Sequence, residues 1–173
     1  TAATVNGCDS VITLDLTINN SSSSTDVQVA CDTYTWGDGS TNGDGLVYTT
    51  STNTPTFTAA TVNGCDSVIT LDLTIIASPT AFAGPNDTIC EGLDYTISGA
   101  TVSNNTGFSW ASTGSGSIIN GTTLTPTYIP SVGEVGSVTL TLTATGNSPC
   151  NNVSDDMIII INPIPTPGPI FHN

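Results

Sequence analysis

The chain of 173 residues contains no lysine and no arginine, against 14 aspartates and glutamates and a single histidine, His172, so its formal net charge is −14. Nucleic-acid binding requires cations that displace phosphate counterions, and this chain supplies none. A phosphate loop of the Walker type, a Schiff-base lysine and an arginine finger are equally excluded. With one histidine next to the chain's last residue, catalysis by Ser-His-Asp or Cys-His and zinc sites built on histidine are excluded in practice. Only acid–base chemistry by paired carboxylates survives as an enzymatic class.

Long apolar runs are also missing. The longest, Met157 to Ile161, is five residues, far short of a membrane-spanning helix. No window shows apolar residues at helical spacing, and no basic, apolar, small-residue leader is recognisable. The expectation is mature protein or an internal piece of a longer one. Charged residues make up 8% of the chain, yet apolar and polar residues alternate along several runs, which disordered chains do not do.

What is present begins with a repeat. Residues 1–18, TAATVNGCDSVITLDLTI, recur without a change at 58–75, an offset of 57 residues. The second copy closes a unit that begins near Asn19, so the first copy is expected to be the tail of a preceding unit. The five cysteines, Cys8, Cys31, Cys65, Cys90 and Cys150, fit that scheme. Pairing Cys31 with Cys65 inside the unit sends Cys8 to a partner outside the chain and leaves Cys90 to pair with Cys150; the alternative is five reduced, buried thiols. Disulfides imply an oxidising compartment and an extracellular destination.

The run VITLDLTI (68–75) places Ile69, Leu71, Leu73 and Ile75 on one face and Thr70, Asp72 and Thr74 on the other, the pattern of a half-buried strand. Shorter strands are expected at Val27–Ala30, Tyr34–Trp36, Leu46–Thr50 and Pro55–Ala59, divided by Asp, Gly, Asn and Ser clusters. Residues 77–85 read as a Pro- and Gly-containing joint. Beyond it, strands are expected at Thr88–Cys90, Tyr95–Ser98, Phe108–Ala111, Leu124–Tyr128, Ser137–Thr145 and Met157–Asn162, with Val138, Leu140, Leu142 and Ala144 pointing inward. The order Cys90, Trp110, Cys150 resembles the Cys, Trp, Cys order of immunoglobulin-like sandwiches. Residues 163–169, PIPTPGP, read as an extended spacer. The expected organisation is therefore all-β: elongated, disulfide-braced tandem Ig-like β-sandwich modules, with a repeat tail at 1–18, a complete repeat at 19–76, an Ig/PKD-like sandwich at 77–162 and a linker at 163–173. Serine and threonine exceed a quarter of the chain, suiting solvent-facing strand positions and offering hydroxyls to glycans.

Three groups of side chains are candidate sites. Asp38, Ser40, Asn42 and Asp44 put oxygen-bearing side chains at alternate positions, as calcium loops do, although Thr49 stands where an EF-hand carries its last carboxylate. The competing reading is a Gly-rich hairpin turn. Asp155 and Asp156 are adjacent carboxylates, and Asp9 and Asp66 hold the same slot in both repeat copies, but neighbours on a strand face opposite ways, so a catalytic pair is not expected. Trp36, Trp110 and Tyr34 could form a sugar-stacking platform or, as core residues, simply pack.

The segments NGCDSVITLDLTI (63–75) and ACDTYTW (30–36) resemble the tandem repeats of very large cell-surface adhesins of Bacteroidetes, including SprB-like gliding-motility adhesins. AGPNDTICEGLDYTISGATVSNNTGFSW (83–110) and GSVTLTLTATGNSPC (136–150) resemble the Ig/PKD-like domains interspersed in them. The resemblance implies export by type IX secretion, display at the outer membrane, and a role in surface attachment and gliding. Its implied partners are neighbouring repeats, the secretion and gliding machinery, and external surfaces or glycans. It also marks Ser10, Ser67 and Thr88, each following an aspartate and preceding an apolar residue, as O-glycan acceptors. The loop WGDGSTNGDG (36–45) departs from a plain hairpin in its glycine and aspartate content. No catalytic residue and no cofactor beyond calcium is expected; the alternative function is that of spacer or carbohydrate-binding modules in a secreted multidomain enzyme.

Overall fold

The computed structural model describes residues 13–60 and 65–165 together with Gly168, and the backbone of Ala2–Ala3 and Asp9–Ser10. Among the described residues every regular element is a strand, and no helix is long and apolar enough to cross a membrane. The chain is all-β, as the alternation predicts.

Two compact units emerge. The first takes Thr1–Gln28, Thr35–Leu46 and Thr52–Leu73; the second takes Val29–Tyr34, Val47–Ser51 and Thr74–Asn173. In chain order the early strands are β1 (Ala2–Ala3), β2 (Asp9–Ser10), β3 (Ser22–Cys31), β4 (Tyr34–Thr35), β5 (Val47–Tyr48), β6 (Thr56–Ala60) and β7 (Asp66–Ile76). β7 lies between β3 and β6 in a three-stranded sheet. Its pairing with β6 is antiparallel, from Thr56 opposite Thr70 to Ala60 opposite Asp66. Leu71 and Leu73 are fully buried on one face of β7, while Asp72 and Thr74 are exposed on the other, so the period of two seen in the sequence is the period of the sheet. Trp36 is the third large buried side chain of this unit, at 2% exposure. β3 starts earlier than its apolar residues announce: Ser22–Thr25 carry no hydrophobic signal and become strand through pairing.

The later strands are β8 (Thr80–Phe82), β9 (Asp87–Cys90), β10 (Tyr95–Thr96), β11 (Thr101–Ser103), β12 (Gly107–Ser112), β13 (Ser117–Ile119), β14 (Thr127–Ile129), β15 (Gly136–Thr145) and β16 (Val153–Asn162). One sheet runs β12-β15-β16-β9, another β10-β14-β13, and β8 pairs with β11. Val138, Leu140, Leu142 and Ala144 of β15 and Met157, Ile159 and Ile161 of β16 form one core with Tyr95 and Tyr128 of the other sheet. Two sheets sharing one apolar interior make a β-sandwich. At roughly 1.5–3 kcal/mol per buried large aliphatic side chain, these alternating runs are its main source of stability.

β16 is central, antiparallel to β15 along nine residue pairs and parallel to β9 from Ile159 opposite Asp87 to Asn162 opposite Cys90. The stretch 77–85, read as a joint, contains β8, and neither β11 nor β13 is announced by the sequence: three-residue strands are too short to show a period. Residues 163–165 have left the strand, and most of the remaining proline-rich stretch lies outside the described residues.

Candidate functional site

The disulfide pairing differs from both expected bonds. Cys31 is bonded to Cys150, with Cα atoms 5.1 Å apart and a sequence separation of 119. Strand geometry explains the correction. Cys65 precedes β7, where its thiol donates to the Asn19 carbonyl at 3.0 Å, before β3 begins; Cys31 is the last residue of β3. Ten extended residues, about 33 Å at 3.3 Å each, lie between those two ends, whereas a disulfide needs Cα atoms within about 7 Å. The expected Cys90–Cys150 bond fails in the same way. Cys90 stands opposite Asn162 at the far end of β16, while Cys150 precedes its first residue, Val153. Cys90 is exposed and reduced, and Trp110 is half-buried against the sandwich core without a neighbouring inter-sheet bridge from Cys90. Cys8 lies outside the described residues.

Around the Cys31–Cys150 bond the second unit is densely fastened. Asp32 follows the strand with φ 58°, a left-handed turn that aspartate tolerates better than most residues. Its N–H donates to the Ile76 carbonyl at 2.9 Å, and its carboxylate accepts the N–H of Ser78 at 2.8 Å and the Ser78 hydroxyl. Those Ser78 bonds hold the Asp32 carboxyl below the usual carboxylate range. Asn104 donates from Nδ2 to the Ser78 carbonyl at 3.2 Å. Cys150 arrives from a turn in which its N–H donates to the Asn147 carbonyl and Gly146 N–H donates to Asn152 Oδ1; it is buried, with its Sγ 3.3 Å from the Ile76 carbonyl. A cavity of about 240 Å³ beside this knot is lined by Ile76, Ala77, Asn104, Asn105, Thr106 and Asn147. It offers amides and a hydroxyl, groups suited to hydrogen-bonding chain segments together.

The other sequence candidates are placed apart. Asp38 Oδ1 accepts the N–H groups of Ser40 and Thr41, both at 2.8 Å, and Oδ2 accepts the Thr41 hydroxyl; the Thr41 bonds, then that of Ser40, lower the Asp38 pKa strongly. Asp44 Oδ1 accepts Leu46 N–H. These carboxylates therefore serve the loop's own backbone, and among the described residues no three or more His, Cys, Asp or Glu side chains gather as a metal would require. The glycine content of 36–45 has a concrete cause. Gly37 and Gly43 sit at φ 66° and 68°, and a Cβ on either would strike the backbone of Asn42 or Trp36.

Asp155 and Asp156 serve different partners, Ala83 N–H at 2.8 Å and the Thr141 hydroxyl at 2.6 Å. Trp36 is buried, its Nε1 donating to Asp26 Oδ2 at 2.8 Å, so its ring face is not open to a sugar. Trp110 donates to the Thr123 carbonyl at 3.2 Å. Of the glycan candidates, Thr88 is exposed, Ser67 is half-buried and receives a hydrogen bond from Ser22, and the Ser10 side chain lies outside the described residues.

One network escaped the sequence reading. The fully buried Tyr128 points its hydroxyl at both oxygens of Glu134, 2.9 Å each, and accepts Gly116 N–H at 3.0 Å. Glu134 also accepts the N–H groups of Ser115 and Ser131. Burial pushes the Glu134 carboxyl upward, but those two N–H groups and the phenol outweigh it, and the net shift is downward. Burial, with the Glu134 charge in support, raises Tyr128. A tyrosine followed six residues later by the only glutamate of its neighbourhood was the available signal, and nothing in the sequence said they would meet.

No protein-family model matches the chain, and no curated protein matches it. Among solved structures it is similar to the PKD domain from KIAA 1837 protein, at 18% identity over 51% of this chain and 91% of that one, with a TM-score of 0.41. It is also similar to a chimeric titin Z1Z2, at 21% identity over 50% of this chain and 96% of that one, TM-score 0.35. A third is Drosophila N-cadherin EC1-3, at 13% identity over 69% of this chain and 46% of that one, TM-score 0.39. All three scores lie below 0.5, too low for the likeness to carry a function across.

Proposed function

We propose that the chain is a non-enzymatic structural and adhesive stretch of an extracellular protein, a set of strand-built modules that gives length and holds it. The observation that carries this reading is the exact 18-residue repeat whose second copy ends in the central strand β7, because duplication of a structural strand extends an array while an active site gains nothing from copies. The disulfide supports an oxidising, extracellular setting. A lysine-free chain cannot be braced by amide crosslinks from lysine, which leaves cystine as its covalent brace.

The finer reading rests on the sequence resemblance: a filamentous adhesin of the Bacteroidetes type, exported by type IX secretion, carried at the outer membrane and used in attachment and gliding, with neighbouring repeats and external surfaces or glycans as partners. Antibody against the chain tests it. Applied to intact producing cells, the antibody labels the surface, and deletion of the coding segment lowers attachment to glass and spreading on agar. Unlabelled cells, or attachment unchanged by the deletion, would refute the reading. The buried face of Trp36 speaks against a carbohydrate-stacking module.

A further inference from the structure

The covalent path through the chain is shorter than the chain. We propose that Cys31–Cys150 is a mechanical shunt, which carries tension between the two ends past residues 32–149 and leaves most of both hydrophobic cores outside the load. This deepens the structural reading above, since it gives the bond a use in a protein that is pulled.

Connectivity and topology carry the inference. Tension entering before Cys31 crosses the sulfur–sulfur bond to Cys150 and leaves through the residues after it. The two long strands in that path are β3 (Ser22–Cys31), which ends on one cysteine, and β16 (Val153–Asn162), which begins three residues after the other. Both are ten-residue strands, already near the 3.3–3.6 Å per residue of a fully stretched chain, so neither can lengthen much. β4 through β15, with Trp36, Leu71, Leu73 and most of the sandwich core, belong to the closed loop and feel no end-to-end pull. Their work is lateral: β7 pairs with β3, and β15 and β9 flank β16. A sequence separation of 119 withholds about 400 Å of contour length from extension.

The bond is also placed to last. Cys150 is 7% exposed, and the Asp32 carboxylate lies 3.7 Å from Cys31 Sγ, where it repels an incoming thiolate. The exposed Cys90 thiol sits at the opposite end of β16 and cannot exchange with the bond while the sandwich is folded.

The test is single-molecule stretching of the full chain, held by peptide tags at its two ends, without and with a dithiol. The dithiol supplies two electrons: one thiolate attacks a cystine sulfur to form a mixed disulfide, the second displaces it, and two protonated cysteines and a cyclic reagent disulfide result. We expect the fully stretched oxidised chain to be about 400 Å shorter than the reduced one, and the Cys31→Ser/Cys150→Ser double variant to match the reduced length without dithiol. Final contour length does not depend on whether the variant folds. Equal lengths before and after dithiol, or a double variant as short as the oxidised parent, would overturn the shunt. Failure of the attachment experiment would leave this length difference intact, so the two readings fail separately.

Discussion

The same eight letters, VITLDLTI, end the repeat twice, and the two copies meet different fates. At Leu71 and Leu73 the second copy is 0% and 2% exposed; at the matching Leu14 and Leu16 the first is 79% and 66% exposed, and residues 13–18 form no strand. Identical sequence rules out propensity and alternation as the cause. The difference is company. Leu71 N–H donates to the Pro55 carbonyl, Leu73 and Thr52 exchange both backbone bonds, and β3 and β6 flank β7 on either side. Alternation specifies what a segment can become, and partners decide whether it does.

If that is right, substitutions at matched positions should diverge. Leu71→Ala is expected to cost about 2–5 kcal/mol, and Leu14→Ala to stay within about 0.5 kcal/mol, both read by urea denaturation. Equal costs would break the comparison. Hydrogen exchange should show the same contrast at single amides, with Leu71 and Leu73 protected and Leu14 and Leu16 exchanging at nearly the free-chain rate.

Weakening the cover around the second copy should move it toward the first. Asp26 accepts both the buried Trp36 Nε1 and Gln28 Nε2, so Asp26→Ala strands a buried donor, at about 1–3 kcal/mol by thermal melting. The copy at 13–18 is expected to be indifferent to that change. The smallest effect comes from pH. Asp38 has its folded pKa lowered from 3.8, so the stability it gives the 36–45 loop is present in full above that value and is lost progressively as pH falls from it toward the lowered folded value. Chemical shifts of the Ser40 and Thr41 amides should hold steady down to pH 3.8 and move below it; movement centred at an ordinary carboxylate value would contradict the hydrogen bonds that define the loop.

How much the sequence reveals depends on range. Val138, Leu140, Leu142 and Ala144 are legible because a ten-residue strand repeats its pattern often enough to be read, and all four are buried as expected. β8, β11 and β13 are too short to repeat anything. The cysteines are illegible for a different reason. Spacing along the chain does not say which end of a strand a residue occupies, and both expected pairs span one strand's full length. Tyr128 meets Glu134 six residues on, and Asp32 meets Ser78 from 46 residues away, through geometry that only the folded backbone supplies.

The open stretch at 13–18 has one more consequence, in digestion. Exposed coil is where proteases ordinarily nick a surface protein. Here the accessible segment TLDLTI presents Leu14 and Leu16 and, like the rest of the chain, no lysine or arginine. Enzymes that cut after lysine or arginine therefore find no bond to hydrolyse anywhere along it, folded or not, while those that prefer large aliphatic residues have an easy first bite at this uncovered stretch.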